Sequence, residues 1–403
     1  MRDGRGGGRL MAATMAVAIP YGRQAIDAAD IDAVVEVLRS DWLTQGPAIE
    51  RFERAVAGYC GAKHAVAVCN ATAALHLACR VLGLGPGDGL WTTPNTFVAS
   101  ANCGLYVGAE VDFVDIDPRT YNLSPQALQR KLEDASRRGR LPKVVVPVAF
   151  SGQPAEMAAI AELGRQYGFR IIEDACHAVG GDYLDGKIGN CRYSDITIFS
   201  FHPVKIMTTG EGGMALTNDP ELHRRLELLR THGITRDPRQ MYSKASEGGW
   251  YYEQVELGYN YRMTDIQAAL GLSQLGRVEE FVRRRRYLAA RYTRALRELP
   301  VETPWQRSDG NSAWHLYVIK IDLSRVRRTR REVFDRLRQS GILVNVHYSP
   351  IHQQPYYRNL GFKTGDFPNA EAYYDAALSL PMYYGLTEEQ QDFVVDQLAE
   401  ALQ

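Results

Sequence analysis

The sequence predicts an α/β protein, in which a large, doubly wound and mainly parallel sheet is followed by a smaller C-terminal α+β domain. Short apolar runs alternate with segments of helical periodicity through most of the chain before residue 220. This alternation is typical of βα units that build a parallel sheet. Pro300 and Pro304 then mark a boundary, and mixed strand and helix patterns follow it over about a hundred residues, enough for a second domain.

Apolar runs bounded by turn residues define the expected strands of the large sheet. They cover residues 65–69, 89–93, 111–114, 143–150, 169–173 and 195–199, and a further strand at 214–217 could run antiparallel. Helical periodicity covers residues 30–38 and 49–59, and a long or kinked helix from 264 to about 299 would bridge the domains. The small domain would contain strands at 315–321 and 344–346, a helix at 330–340 and a final helix from residue 388.

Three segments follow from this pattern. Residues 1–16 are rich in glycine and arginine and are expected to form a disordered N-terminal extension. Residues 17–275 would form the large domain, and residues 276–403 the bridging helix with the small domain.

Composition excludes several classes of function. The 403 residues carry 47 Lys and Arg against 47 Asp and Glu, so nothing in the net charge indicates a nucleic-acid or membrane-surface partner. No apolar run approaches the ~20 residues of a membrane span. The six cysteines form no CxxC pair, which favours reduced thiols in a cytoplasmic protein. No carboxylate or cysteine cluster accompanies His315, His347 and His352, so a metal site is not expected.

Lys205 is the most informative residue of the chain. It lies between an apolar, strand-like run and a glycine-rich turn, in the segment SFHPVKIMTTGEGG that begins at Ser200. A lysine with buried flanks tends to lose its charge, and a neutral amine can form a Schiff base with an aldehyde cofactor. The alternative is a buried stem whose charged end reaches water.

Asp174 would support such a cofactor. It follows the apolar run 169–173, and parallel sheets bind ligands at the carboxyl ends of their strands. A carboxylate there can pair with the protonated nitrogen of a pyridine ring, as pyridoxal phosphate (PLP) requires. Alternatively, Asp174 caps a helix. His177, three residues on, would face the same cavity or be an ordinary core histidine.

A phosphate site is expected where the strand at 65–69 runs into a helix. The free N–H groups at the start of a helix bind anions, and small residues at Ala71 and Ala73 let an anion approach the backbone. The chain shows no GxGxxG sequence and no Walker lysine at this point, so a dinucleotide or nucleoside triphosphate is not indicated.

These motifs together resemble the PLP-dependent nucleotide-sugar aminotransferases of the DegT/StrS type. The likeness rests on SFHPVKIMTTGEGG at 200–213, EDACHA at 173–178, TFVA at 96–99 and GYNYRMT at 258–264, and it extends from about residue 19 to the C-terminus. It implies the PLP-dependent aminotransferase fold of type I and a PLP cofactor, which the large domain would bind.

The resemblance also implies roles for individual residues. Lys205 would be the catalytic lysine that carries PLP and moves the proton. Asp174 would hold the pyridine N–H, His177 would contact the ring oxygen, and Phe97 would stack on the ring. The phosphate would be bound by the backbone at Thr72 and Ala73, by the Ser200 hydroxyl, and by Asn260 of a second subunit, which implies a homodimer with shared active sites.

Substrate residues are implied by segments that resemble the aminotransferase subfamily of pseudaminic acid synthesis. Arg262 would meet a carboxylate of glutamate or the nucleotide diphosphate, unless it forms a structural ion pair. The sugar-nucleotide pocket would be lined by further residues, for which ordinary packing is the alternative. These are Tyr21, Leu43, Thr44, Gln45, Gly46, His347 and Tyr348.

The substrates expected from this resemblance are L-glutamate, which leaves as 2-oxoglutarate, and a UDP-linked 4-keto-6-deoxy sugar. One alternative is another nucleotide-linked 4-keto sugar. Another is a dehydratase on the same scaffold, which would carry histidine where this chain has Lys205. The third, from a different class, is a non-catalytic protein that binds PLP or a nucleotide sugar.

Overall fold

The computed structural model describes residues 18–243 and 248–403. The disordered extension expected over residues 1–16 lies outside the described residues. Seventeen strands are β1 Ile19–Pro20, β2 His64–Val68, β3 Gly89–Thr92, β4 Glu110–Phe113, β5 Val144–Val146, β6 Arg170–Asp174, β7 Asp182–Tyr183, β8 Gly186–Lys187, β9 Ile196–Ser200, β10 Gly213–Thr217, β11 Ile234–Thr235, β12 Glu253–Gln254, β13 Val301–Glu302, β14 Gly310–Asn311, β15 Tyr317–Ile321, β16 Ile342–Leu343 and β17 Ala377–Leu380, within those described ranges.

Thirteen α-helices accompany these strands in the described part of the chain. They are α1 Ala28–Leu38, α2 Pro47–Cys60, α3 Ala71–Val81, α4 Ala99–Tyr106, α5 Pro125–Arg137, α6 Met157–Tyr167, α7 Pro220–Arg230, α8 Asp265–Leu275, α9 Val278–Ala295, α10 Arg330–Gln339, α11 Pro355–Asn359, α12 Pro368–Ala376 and α13 Glu388–Leu402. Short 3-10 turns occur at Phe150–Gly152 and Ile351–Gln353.

The large sheet has seven strands in the order β2-β10-β9-β6-β5-β3-β4. Strands β9, β6, β5, β3 and β4 pair in parallel. Strand β10 runs antiparallel to both of its neighbours, β9 and β2. This confirms the α/β class with a mainly parallel sheet, and it shows that the strand after the glycine-rich turn reverses direction.

Both faces of the sheet are buried, which is why its strands read as continuous apolar runs. In β2, Val66 and Val68 pack on one face with Leu75 of α3, while Ala65 and Ala67 pack on the other face with α2. Helices α3, α4 and α7 cover the first face, and helices α2, α5 and α6 cover the second. The sheet is therefore doubly wound.

Some expected elements are placed differently. The expected strand at 344–346 is wrong: the strand is β16, Ile342–Leu343, which pairs in parallel with β1. The apolar pattern placed the expected strand too late in the sequence, because Val344 is buried although it does not pair with β1. The helix expected from 264 to 299 is divided into α8 and α9, since α8 ends at Leu275, with Gly276 as its C-cap, and α9 starts at Val278.

The C-terminal region has its own apolar core. Helices α9, α10 and α13 pack against the three-stranded sheet β13-β15-β17 around Tyr292, Tyr317 and Leu398. Strand β1 joins this region through its pairing with β16. The domain limits of 17–275 and 276–403 stay a prediction.

Glu173 is a buried carboxyl group on the strand that carries Asp174. Only 7% of Glu173 is exposed, and its Oε2 accepts a hydrogen bond of 2.8 Å from the Thr197 hydroxyl. Burial raises the pKa of Glu173 to about 7; the Thr197 bond opposes this rise and the Asp174 charge adds to it. The folded protein therefore keeps a proton on Glu173 that the unfolded chain loses near pH 4.5.

We predict that Glu173→Gln stabilises the protein above pH 7. The folded chain binds more protons than the unfolded chain between about pH 4.5 and 7, so this group lowers the free energy of unfolding as pH rises through that window. The glutamine keeps the Thr197 bond without a charge, and the gain above pH 7 should be roughly 3 kcal/mol. Urea denaturation at pH 5 and pH 8 measures it.

The matched control for this prediction is Glu110→Gln, because Glu110 is exposed on β4. This control should leave the pH dependence of unfolding unchanged. An equal gain for Glu173→Gln at pH 5 and pH 8 would contradict the raised pKa.

Candidate active site

A cavity of about 810 Å³ opens where β6 and β9 end and where α3 begins. It contains ten of the residues expected at the site. These are Tyr21, Thr72, Ala73, Phe97, Asp174, His177, Ser200, Lys205, His347 and Tyr348. The strand order explains the convergence, because β6 and β9 are neighbouring parallel strands whose carboxyl ends meet at the same edge.

Lys205 lies in the turn that follows β9. Its backbone N–H donates to the carbonyl of His202 at 2.9 Å, which fixes the turn. Burial lowers the pKa of Lys205, against the opposing effect of Cys176 and Asp174. Within the described ranges, the Lys205 ammonium makes no hydrogen bond or ion pair. The lysine therefore provides a more nucleophilic amine than a surface lysine would.

Asp174 is held at the last position of β6. Only 5% of the residue is exposed. The Ser100 hydroxyl donates to its Oδ2 at 2.6 Å, and the Cys176 N–H donates to its Oδ1 at 3.2 Å. Residues 175–181 form turns and no helix, so the helix-cap interpretation of Asp174 is wrong. The carboxylate is fixed by two donors and lines the cavity.

His177 is placed on the same turn and is neutral. Its Nδ1 accepts the Ser151 N–H at 3.3 Å, so the ring proton is on Nε2, which lies 3.2 Å from the Tyr348 hydroxyl oxygen. Burial lowers the pKa of His177 well below its usual value, and the nearby Lys205 and His347 lower it further. His177 is therefore a hydrogen-bond donor through Nε2.

The start of α3 presents backbone amides to the cavity. Asn70 caps the helix, since its Oδ1 accepts the Ala73 N–H at 2.8 Å. The Ala73 amide is therefore engaged, and the amides of Ala71 and Thr72 precede it at the exposed end of the helix dipole.

Gly213 allows β10 to begin directly against this helix end. A Cβ on Gly213 would lie 2.6 Å from the Ala71 nitrogen, which any larger residue would have to displace. Ser200 ends the neighbouring strand β9 opposite Gly213, and the Ser200 side chain also lines the cavity. Backbone amides and a hydroxyl, the groups that bind an anion, thus line the same cavity.

Aromatic side chains form one wall of the cavity. Phe97 is 57% exposed, and its ring centroid lies 6.3 Å from that of Tyr348. The Tyr21 and His347 rings are 5.1 Å apart. His347 Nδ1 lies 2.8 Å from the Ser379 hydroxyl, and burial with the nearby Lys205 lowers the pKa of His347 to about 3. This wall is therefore uncharged.

The remaining expected residues lie outside this cavity. The loop from Leu43 to Gly46 is tied to α8: the Asp265 N–H donates to the Leu43 carbonyl at 3.0 Å, and the Gly46 N–H donates to Asp265 Oδ2 at 2.7 Å. Thr44 bridges to Thr264, and Gln45 has a left-handed φ of 56°. Asn260 is exposed and Arg262 half-buried. Their substrate and cofactor roles stay predictions.

Several cavity residues were missed by the sequence reasoning. They are Cys176, His202, Glu211, Asn345, His76, Tyr106 and Tyr261. Cys176 belongs to the motif that contains Asp174, and His202 and Glu211 to the motif that contains Lys205, so their spacing from these two residues was a usable signal. His76 offered a weaker signal, because only the helix geometry shows that its Nδ1 lies 3.1 Å from the Tyr261 hydroxyl.

No group of three or more His, Cys, Asp or Glu side chains is arranged to hold a metal ion between residues 18 and 243 or 248 and 403. In the same part of the chain, no helix combines the length and apolar character that crossing a membrane requires. The six cysteines are free thiols.

Comparison with known proteins decides the family. A model described as the DegT/DnrJ/EryC1/StrS aminotransferase family matches residues 24–399. The chain belongs to this family. It is a PLP-dependent sugar aminotransferase with the type I fold, so the predicted family, fold and cofactor are confirmed.

Individual relatives cover nearly the whole aminotransferase. The spore coat polysaccharide biosynthesis protein SpsC of Bacillus subtilis is 41% identical over 94% of this chain and 95% of its own. Helicobacter pylori PseC, an aminotransferase involved in the biosynthesis of pseudoaminic acid, superposes with a TM-score of 0.87 at 31% identity and covers 96% of this chain and 99% of its own. The PLP form of the putative sugar aminotransferase Spr1654 from Streptococcus pneumoniae gives 0.85 at 30% identity, with 95% and 98% covered.

The residues of the cavity fit PLP. An amine of lowered pKa at Lys205 suits the aldehyde, and the fixed carboxylate of Asp174 suits a protonated ring nitrogen. The amides at the start of α3, approached closely by Gly213, suit a phosphate. An amine for the aldehyde, a carboxylate for the ring nitrogen and amides for the phosphate therefore line one cavity.

We predict that Asn70→Ala weakens both the fold and PLP binding. Losing the cap should lower the free energy of unfolding by about 1 kcal/mol and loosen the Ala71 and Thr72 amides. The matched control is Ser124→Ala, because Ser124 caps α5 by accepting the Ala127 N–H at 3.2 Å, outside the cavity. Both variants should lose similar stability in urea, but only Asn70→Ala should release PLP more readily on dialysis. Equal PLP retention would contradict the phosphate site.

Proposed function

We propose that the enzyme transfers the amino group of L-glutamate to C4 of UDP-2-acetamido-2,6-dideoxy-β-L-arabino-hexos-4-ulose. The product would be UDP-4-amino-4,6-dideoxy-N-acetyl-β-L-altrosamine, a precursor for pseudaminic acid biosynthesis in the cytoplasm. The observation that carries the aminotransferase chemistry is the convergence of Lys205 and Asp174 in one cavity. The likeness to PseC over 96% of the chain supports the choice of sugar.

PLP, when bound, supplies an electron sink that stabilises negative charge at the carbon bearing the amino group. Lys205 would hold it covalently through Nζ, and Asp174 would keep a proton on the ring nitrogen. His177 Nε2–H would donate to the ring oxygen, and Phe97 would cover the ring face. The Thr72 amide and the Ser200 hydroxyl would bind the phosphate with the Ala71 amide beside them, while the Ala73 amide, also expected there, donates to Asn70.

Lys205 also has the properties of the group that moves the proton. Burial lowers the pKa of Lys205, so a larger fraction of its amine is unprotonated near neutral pH than in an exposed lysine, and the unprotonated amine can accept the proton. The uncharged walls around it, formed by His177, His347 and Tyr348, offer no other base of comparable strength. Burial also raises the pKa of Tyr348, so its hydroxyl stays protonated.

The charges of the cavity support a shared site. Lys205 is the sole lysine or arginine among the described residues that line it, whereas Asp174 and Glu211 are both acidic. A phosphate, a nucleotide diphosphate and the carboxylates of glutamate need cationic or donor partners. Asn260 and Arg262 are outside the cavity of their own chain, and we assign them to the cavity of a partner subunit in a homodimer.

Substrate selection would involve the aromatic wall of the cavity and the loop from Leu43 to Gly46. Tyr21, His347 and Tyr348 would contact the keto-sugar, because they line the cavity beside Phe97. The loop Leu43, Thr44, Gln45 and Gly46 would border the nucleotide across the dimer, and Arg262 would meet an anionic group of the substrate. Asp265 supports this loop, since its buried carboxylate accepts from the Gly46 and Ala48 amides.

A different nucleotide-linked 4-keto sugar is the second candidate. It is favoured by the 41% identity to a spore coat polysaccharide biosynthesis protein. The dehydratase alternative conflicts with Lys205, and the presence of Lys205, Asp174 and His177 in one cavity argues against a non-catalytic binding protein. An assay for amine transfer to a keto-sugar distinguishes these candidate functions.

We expect a panel of 4-keto sugars carried by UDP, GDP and dTDP to show one preferred amine acceptor with L-glutamate. The UDP-linked 2-acetamido sugar should be aminated most efficiently, and NMR and mass spectrometry identify the product. Lys205→Ala is the control and should lose turnover by several orders of magnitude while keeping the fold. Preference for a GDP or dTDP sugar would contradict the proposed substrate and keep the family activity.

A hybrid experiment tests the shared site. Lys205→Ala and Asn260→Ala chains, each inactive alone, should regain activity when mixed, because one of the two sites in a hybrid dimer carries neither change. The control mixes two differently tagged Lys205→Ala chains, which should stay inactive. If Asn260→Ala is strongly impaired and verified hybrids show no recovery, Asn260 acts within its own chain.

A further inference from the structure

Unusual backbone conformations are concentrated in the chain segments that pack against His177. Ser151 has a φ of 60° and Trp314 a φ of 53°, although neither residue is glycine. Gly152, which follows Ser151 and packs against the Trp314 backbone, has a φ of 98°. Left-handed conformations of larger residues cost free energy and persist where the surrounding structure enforces them, which is often at functional sites.

The same region contains buried polar atoms that lack a partner. Among the described residues, His315 Nδ1, Ser151 Oγ and Arg285 Nε are buried without a hydrogen bond. Arg285 is 1% exposed and has no carboxylate partner within the described ranges. Its Nη1 instead donates to the carbonyls of Trp314 and His315 at 3.2 Å each and of Met382 at 2.9 Å. Such groups are destabilising and call for a functional reason.

These costly groups meet at His177. His315 is 3% exposed, and its ring centroid lies 4.3 Å from that of His177. Gly152 fills the junction so closely that a Cβ would lie 2.8 Å from the Trp314 nitrogen and 2.9 Å from the His177 carbonyl oxygen. The Ser151 N–H donates to His177 Nδ1, and the Ser151 carbonyl accepts the Leu316 N–H at 3.3 Å.

We propose that Ser151, Arg285 and His315 are positioning residues that fix the ring and the Nε2–H tautomer of His177. Arg285 clamps the main chain at 314–315, His315 forms the wall against the ring, and the Ser151 N–H occupies Nδ1. This inference rests on the proposed function, in which His177 Nε2–H donates to the ring oxygen of PLP. A ring free to flip or to gain a proton would present a different group there.

The charged and titratable groups around His177 favour one protonation state. Lys205, His347, Tyr348 and His315 face it, Cys176 lies on the same turn, and Asp174 ends the strand that precedes this turn. Burial lowers the pKa of His315 well below its usual value, with further lowering from His177, Lys205 and Arg285. Both imidazoles are therefore neutral, and Ser151 decides which nitrogen of His177 carries the proton.

The first test measures the tautomer of His177 in the wild-type protein. With histidine labelled by ¹⁵N in the full chain, before and after loading with PLP, the nitrogen shifts report the tautomer and charge of each of the nine histidines. His177, assigned by the loss of its signals in His177→Gln, should be neutral with the proton on Nε2 from pH 6 to pH 8. A charged ring, or a proton on Nδ1, overturns the proposal.

Variants then test the support itself. His315→Ala should let the two tautomers of His177 exchange and raise its protonation midpoint by about one pH unit, because water replaces the wall. Arg285→Met, which keeps the volume and removes the clamp, should shift the midpoint in the same direction. His315→Phe should retain the wild-type signals, because it restores the aromatic wall.

A matched control excludes a general loss of stability. His352 is also fully buried with an Nδ1 that lacks a partner within the described residues, but it pairs with Glu371 at 2.8 Å outside the cavity. His352→Ala should destabilise the chain without changing the signals of His177. An unchanged His177 in His315→Ala, or an equal change in His352→Ala, overturns the proposal.

The holoenzyme gives a second readout. The pH titration of the absorbance of bound PLP should shift by about one unit in His315→Ala and stay unchanged in His315→Phe. Borohydride reduction followed by peptide mapping tests the proposed function separately. If PLP is fixed at Lys205 while the His315 variants behave like wild type, the positioning role is wrong and the proposed function stands.

Discussion

The parallel alignment of β5, β6 and β9 is the constraint on which the site depends. It brings Val148, Asp174 and Ser200 to one edge of the sheet, because the carboxyl ends of parallel strands coincide. The chain then turns through Lys205 and reverses into β10, which runs antiparallel beside β9. This reversal returns Gly213 to the start of α3, so the amine, the carboxylate and the helix amides face one space.

The sequence predicts the parts of this site that depend on strand ends. Lys205, Asp174 and Ser200 each follow or end a buried apolar run, and the structure places all three around the cavity. The loop at Leu43–Gly46 is different, because its position depends on a hydrogen bond to Asp265, more than two hundred residues away along the chain. Local pattern contains no information about such a contact.

The apolar pattern of the sequence also predicted one strand at the wrong position, for a physical reason. Residues 344–346 alternate as a strand would, but Val346 and Asn345 line the cavity. Their neighbours Ile342 and Leu343 pair instead with β1, close to the start of the described chain. Similarly, helical periodicity continues through Gly276, while α8 is held by Asp30, which accepts from Ser273 and Gln274 at 2.6 Å each. Both features are set by distant partners.

Burial in the cavity also disfavours charge on its nitrogen-containing side chains. Desolvation lowers the pKa values of Lys205, His177 and His347 together, so the cavity of one chain favours uncharged nitrogen donors and acceptors. Such a cavity suits proton transfer, since a neutral amine is a base and neutral imidazoles do not compete for charge. It suits anionic substrates poorly. The two requirements are reconciled if the cations come from outside the chain, which is why the proposed dimer and the proposed chemistry support each other.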